Sequence, residues 1–457
     1  MDLLIKGGTV VTATESFIAD VAVEAGKIAA IGKDLDVSAD RTIDAKGKLV
    51  LPGAIDAHTH MQMPFGGTVS ADSYLSGTRA AVCGGVTTIF DYPVQHKGET
   101  ILGLINSKKE ILETDACCDY AFHCCITDFN DGDILKEMET AVGEGITSYK
   151  CFLVYKKEGM MVDDGMLVTL LKRADELGAM INVHAENPDL IDLRTAEYLK
   201  EGKTSAWYHY MSRPEFVEAE ADKRVVHWAT HLDAPVYIVH MADKEGLEAC
   251  IDAKKNGYEV YVETCPQYLE FTCDVYKRED GRNFVCSPPM KNAESKEALW
   301  TALKSGFIDT VATDHCPFQS YEKDWGKDDY TKIPNGCAGV ENLYPYMLSA
   351  ANEGKLTFEK VVEVCSTNVA RIFGCDNKGS LAVGKDADIV IYDKDKEFTV
   401  SVNNMHSDYD HTIWEGAKMH GYPVMTFLRG ELVYDNGEYV GNPGMGKYIK
   451  RSPRNKR

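Results

Sequence analysis

Short apolar runs alternate with amphipathic stretches through the middle of the chain. Each run is rich in β-branched residues and has the length of a buried strand. Between the runs, apolar residues recur at a helical period. One such apolar face consists of Leu167, Leu170, Leu171, Ala174 and Leu177. The eight runs are residues 54–60, 86–92, 119–125, 146–152, 180–186, 236–242, 259–265 and 310–316. Eight strand–helix units in about 320 residues predict a (β/α)8 TIM barrel, an α/β fold.

Both ends of the chain have a different pattern, in which short alternating strands are broken by turn residues. This pattern covers about the first 50 residues and returns from about 380 to 440. The two ends therefore predict one small β-sandwich, interrupted by everything between them. We expect the sandwich domain to comprise residues 1–52 and 375–443, the barrel residues 53–374, and a basic tail residues 444–457.

The tail carries six cationic side chains close together. They are Lys447, Lys450, Arg451, Arg454, Lys456 and Arg457. Two interpretations are open: a solvated, partly disordered end, or an arm that packs on an acidic neighbouring subunit.

The charge and cysteine content narrow the possible partners. The chain has 457 residues and a formal net charge of -22, so neither nucleic acid nor an anionic membrane is an expected partner. The apolar run in the opening MDLLIKGG is too short for a signal peptide, and no stretch approaches the length of a membrane span. We expect a cytoplasmic protein whose 14 cysteines are reduced thiols.

Metal-binding side chains follow several of the predicted barrel strands. Active sites of such barrels lie at the carboxyl ends of the strands. The candidate residues there are His58, His60, Lys150, His184, His240 and Asp314. Each histidine, and Asp314, alone has an ordinary structural explanation, such as a hydrogen-bonded core histidine or a helix-capping aspartate. Their coincidence on five separate strand ends is hard to obtain from packing.

Lys150 is the least ordinary of these residues. It lies between Tyr149 and Phe152 in a predicted buried strand, where an unpaired ammonium is unfavourable. A neutral lysine amine can add carbon dioxide and become a carbamate anion, which two divalent cations would stabilise. Together with Asp314 and a bridging hydroxide, the carbamate would offset most of the metal charge. Nitrogen and oxygen ligands without thiolate suit Zn²⁺, with Mn²⁺ or Co²⁺ as substitutes.

Several motifs together resemble the dihydropyrimidinase/D-hydantoinase family of the amidohydrolase superfamily. They are the HTH pair followed by MPFGG, SYKCF around Lys150, VHAEN (183–187), IVHMA (238–242), ETCPQYL (263–269), CSPPMK (286–291) and ATDHCPF (312–318). The resemblance covers essentially the whole chain. It implies two divalent metal ions, held by His58, His60, Lys150, His184, His240 and Asp314. The first two histidines and the aspartate would hold the more buried metal, the other two histidines the second, and N6-carboxylysine at Lys150 would bridge both.

The resemblance also implies roles around the substrate. Tyr155 would donate a hydrogen bond to the carbonyl under attack, and Ser287 and Asn335 would hold the cyclic amide through main-chain groups. Asp314 would accept the proton of the attacking water and return it to the leaving nitrogen. His315 is expected to be a supporting or structural residue.

The implied reaction is metal-dependent hydrolysis of the ring amide of a small cyclic diamide. The substrates would be 5,6-dihydropyrimidines or 5-substituted hydantoins, opened to N-carbamoyl amino acids by a metal-bridging hydroxide, in a homotetramer. Candidate residues around the ring substituent are Met63, Phe65, Phe152, Met160 and Met161. The physiological substrate and the preferred enantiomer stay open.

Three other functions compete with this one. Allantoinase and dihydroorotase share the barrel and the metals, but dihydroorotase-like sequences place an arginine soon after the HxH pair. Here the loop reads HTHMQMPFGG, and the first arginine after it is Arg79, which favours an uncharged substrate. The dihydropyrimidinase-related structural proteins lose metal ligands, whereas all six implied ligand positions are filled here.

Overall fold

Strands dominate both ends of the chain and alternate with helices through its middle. The computed structural model describes residues 1–129 and 132–454. The strands are β1 (Leu3–Val11), β2 (Ser16–Glu24), β3 (Lys27–Gly32), β4 (Arg41–Asp44), β5 (Leu49–Pro52), β6 (Ala54–Thr59), β7 (Pro64–Phe65), β8 (Thr68–Val69), β9 (Val86–Asp91), β10 (Asp119–Phe122), β11 (Cys124–Cys125), β12 (Ser148–Phe152), β13 (Met180–His184), β14 (Val236–Ile238), β15 (Val260–Thr264), β16 (Thr310–Val311), β17 (Ile389–Thr399), β18 (Lys418–Leu428), β19 (Glu431–Asp435) and β20 (Glu438–Tyr439).

The α-helices are α1 (Tyr74–Cys83), α2 (Ile101–Asp115), α3 (Ile134–Gly143), α4 (Asp164–Leu177), α5 (Pro188–Lys200), α6 (Trp207–Ser212), α7 (Glu215–Leu232), α8 (Lys244–Lys255), α9 (Pro266–Glu270), α10 (Ala293–Lys304), α11 (Ser320–Lys323), α12 (Leu343–Asn352), α13 (Phe358–Val362) and α14 (Asn368–Phe373). Shorter 3-10 helices span Cys273–Lys277, Gly281–Phe284, Asp324–Gly326, Tyr330–Lys332 and Val402–Asn404, and a π-helical turn spans Glu363–Thr367. None of the helices described is both long and apolar enough to cross a bilayer.

The two ends of the chain share one nine-stranded sheet, as the alternating pattern predicted. Its order runs from β20 through β19, β18, β17, β5, β1 and β2 to β3, with β4 beside β1. The junction between the two ends is the antiparallel pair of β5 and β17, in which Leu51 faces Val390. A separate apolar core that includes Val10, Val50 and Phe427 stabilises this sheet.

The eight apolar runs form the parallel strands of the barrel. The strand order is β6, β9, β10 with its continuation β11, β12, β13, β14, β15 and β16. The ring closes between the first and last strands, where the His60 amide donates to the His315 carbonyl (2.8 Å) and the His315 amide to the His58 carbonyl (3.2 Å). Because the strands are parallel, their carboxyl ends meet at one rim, so residues that follow different strands lie close together.

Helix α4 shows how the local sequence fixes the barrel's outer layer. The Asp163 side chain accepts from the Met166 amide and caps the first turn, and Gly178 ends the helix with φ +68°. Between the caps, the predicted apolar face is buried against the barrel, except that Leu177 is only partly buried. The sequence therefore determines where the helix begins and ends and which of its faces packs against the barrel.

The basic tail lies along the chain's own barrel. The Tyr120 amide donates to the Lys447 carbonyl (3.0 Å), the Ile449 amide to the Tyr120 carbonyl (2.8 Å), and the Arg454 amide to the Gly178 carbonyl (2.8 Å). Arg451 is 2% exposed. The expectation of a solvated end is therefore wrong for residues 446–454, because their backbone and Arg451 find partners within the same chain. Lys456 and Arg457 lie outside the described residues.

Candidate active site

A cavity opens at the carboxyl ends of the barrel strands. All nine residues that the sequence predicted for the site line it, together with four apolar side chains, Cys316 and Gly336. Its empty volume is about 440 Å³, which includes solvent at the mouth. The predicted site residues, from strands and loops far apart in sequence, therefore share one enclosed space. Those nine are His58, His60, Lys150, Tyr155, His184, His240, Ser287, Asp314 and Asn335.

One group of metal-binding atoms is formed by β6 and the loop after β16. The Asp314 Oδ1 atom lies 3.0 Å from His60 Nε2 and 3.3 Å from His58 Nε2. Both histidines are buried, and within the described part of the chain no other hydrogen-bond partner reaches His58 Nε2. Burial lowers the pKa of His58 well below the ordinary histidine value, and the nearby Lys150 adds to this shift. The result is two imidazoles and a carboxylate around one point, a suitable donor set for a divalent cation.

A second pair of imidazoles lies beside the first group. His184 Nδ1 and His240 Nε2 face each other at 3.0 Å, and the rings of His240 and His58 are 5.4 Å apart. Burial lowers the pKa of His184 and of His240, so both rings are neutral at neutral pH. Two ring nitrogens directed at the same point can coordinate a second cation.

Lys150 lies on β12 beside these groups without a counterion. It is 1% exposed, and its Nζ atom is 4.9 Å from the centre of the Tyr92 ring and 5.3 Å from that of Phe152. Among the residues described, no carboxylate oxygen lies within 4.0 Å of this nitrogen. Burial lowers the Lys150 pKa to about 8, although Asp314 acts in the opposite direction. A substantial fraction of the amine is therefore neutral near physiological pH, and a neutral amine can react with carbon dioxide.

The cavity is also lined by Tyr155, Ser287 and Asn335. The Asn335 side-chain amide donates to Ser287 Oγ (2.9 Å), which joins two loops that are far apart in sequence. The Tyr155 ring lies 5.4 Å from the His184 ring and 5.3 Å from the Phe65 ring. Burial raises the pKa of Tyr155, so its hydroxyl stays protonated and can donate a hydrogen bond into the cavity.

Three of these residues have a left-handed backbone conformation. The φ angles are +65° at Tyr155, +41° at His240 and +54° at Asp314. Residues with a Cβ atom seldom adopt this region, and such conformations concentrate at functional sites, where the surrounding structure holds them. The barrel rim therefore holds these three residues in an energetically unfavourable backbone conformation.

The apolar side of the cavity holds four of the five residues proposed to surround a ring substituent. The cavity is lined by Met63, Phe65, Phe152 and Met160, but not by Met161. Met161 pairs with Phe152 through its backbone, and successive residues of an extended segment face opposite sides. The candidate substituent pocket therefore excludes Met161.

Two buried carboxylates beside the histidines were not assigned from the sequence. Glu263 Oε1 lies 2.7 Å from His58 Nδ1, and Glu186 Oε2 lies 2.9 Å from His184 Nε2. Arg213 donates to the same Glu186 oxygen (2.7 Å) and holds the pKa of this carboxyl low, although burial alone would raise it. Glu263 stands in the motif ETCPQYL and Glu186 in the motif VHAEN. Their positions at the ends of predicted strands are the sequence signal that could have identified them.

His315, left as a supporting residue, packs away from this centre. Its Nε2 atom lies 3.0 Å from Asp72 Oδ2, and its Nδ1 atom accepts from the Gly339 amide (3.0 Å). Both ring nitrogens are thus occupied, which agrees with a structural role.

Comparisons with known proteins match the whole chain. Residues 49–433 match the model of the amidohydrolase family. The chain is 41% identical to a D-hydantoinase from Geobacillus stearothermophilus, over 99% of this chain and 97% of the relative. It is 39% identical to a dihydropyrimidinase from Rattus norvegicus, over 99% of this chain and 89% of the relative.

A comparison with a solved structure points to the same family. The crystal structure of a dihydropyrimidinase from Brevibacillus agri NCHU1002 superimposes with a TM-score of 0.97 at 41% identity, and the match covers 100% of both chains. The chain therefore belongs to the dihydropyrimidinase/D-hydantoinase family of amidohydrolases.

Proposed function

We propose that this enzyme hydrolyses the ring amide of cyclic diamides, namely 5,6-dihydropyrimidines and 5-substituted hydantoins, to N-carbamoyl amino acids. The observation that carries the proposal is the convergence of four imidazoles, Asp314 and the buried Lys150 on one cavity. The relatives named D-hydantoinase and dihydropyrimidinase support the same substrate class.

In this proposal the cavity holds two divalent metal ions. His58, His60 and Asp314 would hold one ion, His184 and His240 would hold the other, and Lys150 would contribute to both. The donor atoms support this division, because His58 Nε2 is buried and has no other hydrogen-bond partner among residues 1–129 and 132–454. In addition, His184 Nδ1 and His240 Nε2 face each other at 3.0 Å. Nitrogen and oxygen donors favour Zn²⁺, and Mn²⁺ or Co²⁺ would fit the same set.

Lys150 is proposed to carry a carboxylate, as N6-carboxylysine. The ammonium first loses one proton; the neutral amine nitrogen then forms a bond to the carbon of carbon dioxide and loses a second proton. A cation thus becomes an anion with the release of two protons. The support is physical: a buried ammonium without a carboxylate partner is unfavourable, whereas an anion at this position is compensated by bound divalent cations.

The protein's side chains then have distinct tasks. When bound, divalent cations supply Lewis acidity, which polarises a carbonyl oxygen and acidifies water. Tyr155 donates its hydroxyl hydrogen to the carbonyl oxygen as negative charge develops there. Asp314 accepts the proton of the attacking water and delivers it to the ring nitrogen that leaves. Ser287 and Asn335 hold the ring amide through their main-chain groups.

The cavity wall favours an uncharged ring over the anionic substrates of related enzymes. Its substituent side consists of Met63, Phe65, Phe152 and Met160 and carries no cation. The first arginine after the HxH pair, Arg79, donates to the carbonyl of His406, a residue that does not line this cavity. Both observations disfavour a dihydroorotase-like activity.

The proposal extends to the assembly and the cellular compartment. We propose a homotetramer that works in the cytoplasm. The exposed apolar side chains Phe17 and Ile18 of β2 support an interface on the terminal sheet. All 14 cysteines are free thiols, which suits a reducing compartment. Light scattering tests the assembly, since a monomer in solution is incompatible with it.

Steady-state kinetics with a panel of rings tests the proposed reaction. The metal-loaded enzyme would be given dihydrouracil, both enantiomers of phenylhydantoin, allantoin and dihydroorotate. The N-carbamoyl product would be identified by mass spectrometry. We expect the highest kcat/KM for dihydrouracil or a hydantoin. A preference for dihydroorotate or allantoin would refute the substrate assignment but not the reaction class.

A further inference from the structure

Glu263 occupies a central position behind the candidate metal ligands. It lies near the end of β15 and is 0% exposed. Its Oε1 atom accepts from two sources: the His58 ring at Nδ1 (2.7 Å) and the His240 backbone amide (3.0 Å). Its Oε2 atom accepts from the Tyr237 hydroxyl (2.8 Å). One carboxylate therefore contacts two histidines that the proposed function assigns to different metals.

The contact with His58 fixes the state of that ring. A carboxylate that accepts from Nδ1 requires the hydrogen to be on this nitrogen, which leaves the Nε2 lone pair free. Nε2 is the atom that faces Asp314. Glu263 thus sets both the tautomer and the orientation that coordination by His58 needs.

The contact with His240 acts on the backbone. His240 has a φ angle of +41°, so the turn after β14 needs support from its surroundings. Glu263 supplies it twice: the side chain accepts from the His240 amide, and the Glu263 carbonyl accepts from the Met241 amide (2.7 Å). Thr264 adds a hydrogen bond from its hydroxyl to the Met241 carbonyl (2.8 Å).

Glu186 provides an internal comparison. It also contacts a histidine, but only His184, and it is paired with Arg213. Among the described residues, no lysine or arginine forms an ion pair with Glu263; the ion pair within 4.0 Å is with His58. The buried carboxyl group of Glu263 is thus directed at the metal side of the cavity.

We infer that Glu263 is a positioning residue that couples the two candidate metal sites, by orienting His58 through Nδ1 and holding the backbone turn that presents His240. This inference rests on the proposed function, because the two metals are assigned there. Loss of the carboxylate should therefore weaken the binding of both metals, whereas a change confined to one histidine should weaken the binding of one metal. Glu263 does not line the substrate cavity, so the affinity for the ring should stay nearly unchanged.

The test is metal affinity, measured by competition with a chelator on full-length protein reloaded with Zn²⁺. Glu263→Gln keeps the size of the side chain and replaces one accepting carboxyl oxygen by an amide group that cannot accept a hydrogen bond. We expect affinity to fall about 10–100-fold for both metals, the range for supporting ligands of this kind, with kcat reduced and KM little changed. Asp72→Asn is the matched control, since it removes a buried carboxylate from a histidine, His315, that is not an assigned ligand.

Tyr237→Phe provides a second, milder variant in case Glu263→Gln fails to fold. It removes one hydrogen bond to Glu263 and leaves the carboxylate in place, so both affinities should fall by a smaller factor. Wild-type affinity for both metals in Glu263→Gln, or a loss confined to one metal, overturns the coupling while the proposed function stands. If the wild-type protein itself binds no metal pair, the proposed function fails, and this inference fails with it.

Discussion

The guanidinium of Arg451 donates a 2.7 Å hydrogen bond to Ser148 Oγ, two positions before Lys150 on β12. A second hydrogen bond runs from Arg451 to the Phe122 carbonyl (2.5 Å), and the guanidinium lies 5.0 Å from the centre of the Phe90 ring. A residue near the chain's C-terminus thus reaches the interior of the barrel, close to the strand that carries the candidate metal bridge.

The first prediction follows from this contact. Arg451→Met should lower the free energy of unfolding by about 1–3 kcal/mol, because it leaves the buried Phe122 carbonyl without this donor. Urea denaturation measures the change. Lys450→Met is the control. Because Lys450 is exposed, this substitution should leave the free energy of unfolding nearly unchanged. Equal stability of the two variants would show that the tail only lies on the surface.

The second prediction concerns Lys150. Lys150→Ala should lose both metals and the activity, because it removes the amine that the proposed function makes a ligand of both ions. A short carboxylic acid added with metal should restore part of the activity, as it supplies the missing carboxylate. Elemental analysis and kinetics are the measurements. A fully metallated, active Lys150→Ala enzyme would rule out the bridging role.

The third prediction separates binding from turnover at Tyr155. Tyr155→Phe should retain its metals and lose about 10²–10³ in kcat, the effect of removing one oxyanion donor. Tyr149→Phe is the matched control, because the Tyr149 hydroxyl donates to the carbonyls of Met138 and Ile146 instead of facing the cavity. A rise in KM with unchanged kcat would mean that Tyr155 only binds substrate.

The fourth prediction concerns the pH dependence of stability at His406. His406 Nδ1 lies 2.6 Å from the buried Glu341 Oε1, and this contact raises the pKa of His406 although burial alone would lower it. Burial raises the pKa of Glu341 as well, so both groups hold protons more tightly in the folded state. The histidine's contribution is thus full below about pH 6.5, its unfolded pKa, and is lost as the pH rises through its folded pKa.

Thermal unfolding between about pH 6 and pH 8 measures this effect. His406→Asn removes the titrating group, so its stability should change less with pH than that of the wild type. Parallel pH profiles for the two proteins would show that the ion pair contributes nothing measurable.

The barrel was predictable because its signals are local. Each strand is a contiguous apolar run, and the helices between them carry their own caps and faces, as α4 shows. The side chains at the strand ends could be grouped because parallel strands end at one rim. Met161 was misplaced because the side that a loop residue faces depends on pairing with Phe152, which the sequence does not reveal.

Arg451 and Glu263 escaped prediction for a different reason. The partners of Arg451, Ser148 and Phe122, are about 300 positions away in sequence, so its burial leaves no local signal: its neighbours are those of a solvated basic tail. Glu263 is a single carboxylate near the end of strand β15, and its role depends on contacts with two histidines from other parts of the barrel.

The most direct test of the central claim is the rate of ring opening as Zn²⁺ is added stepwise to metal-free enzyme. The account predicts negligible hydrolysis of dihydrouracil and hydantoins without metal, and a rate that rises to a plateau at about two ions per chain. Full activity in the metal-free protein, or a plateau at one ion, would contradict it.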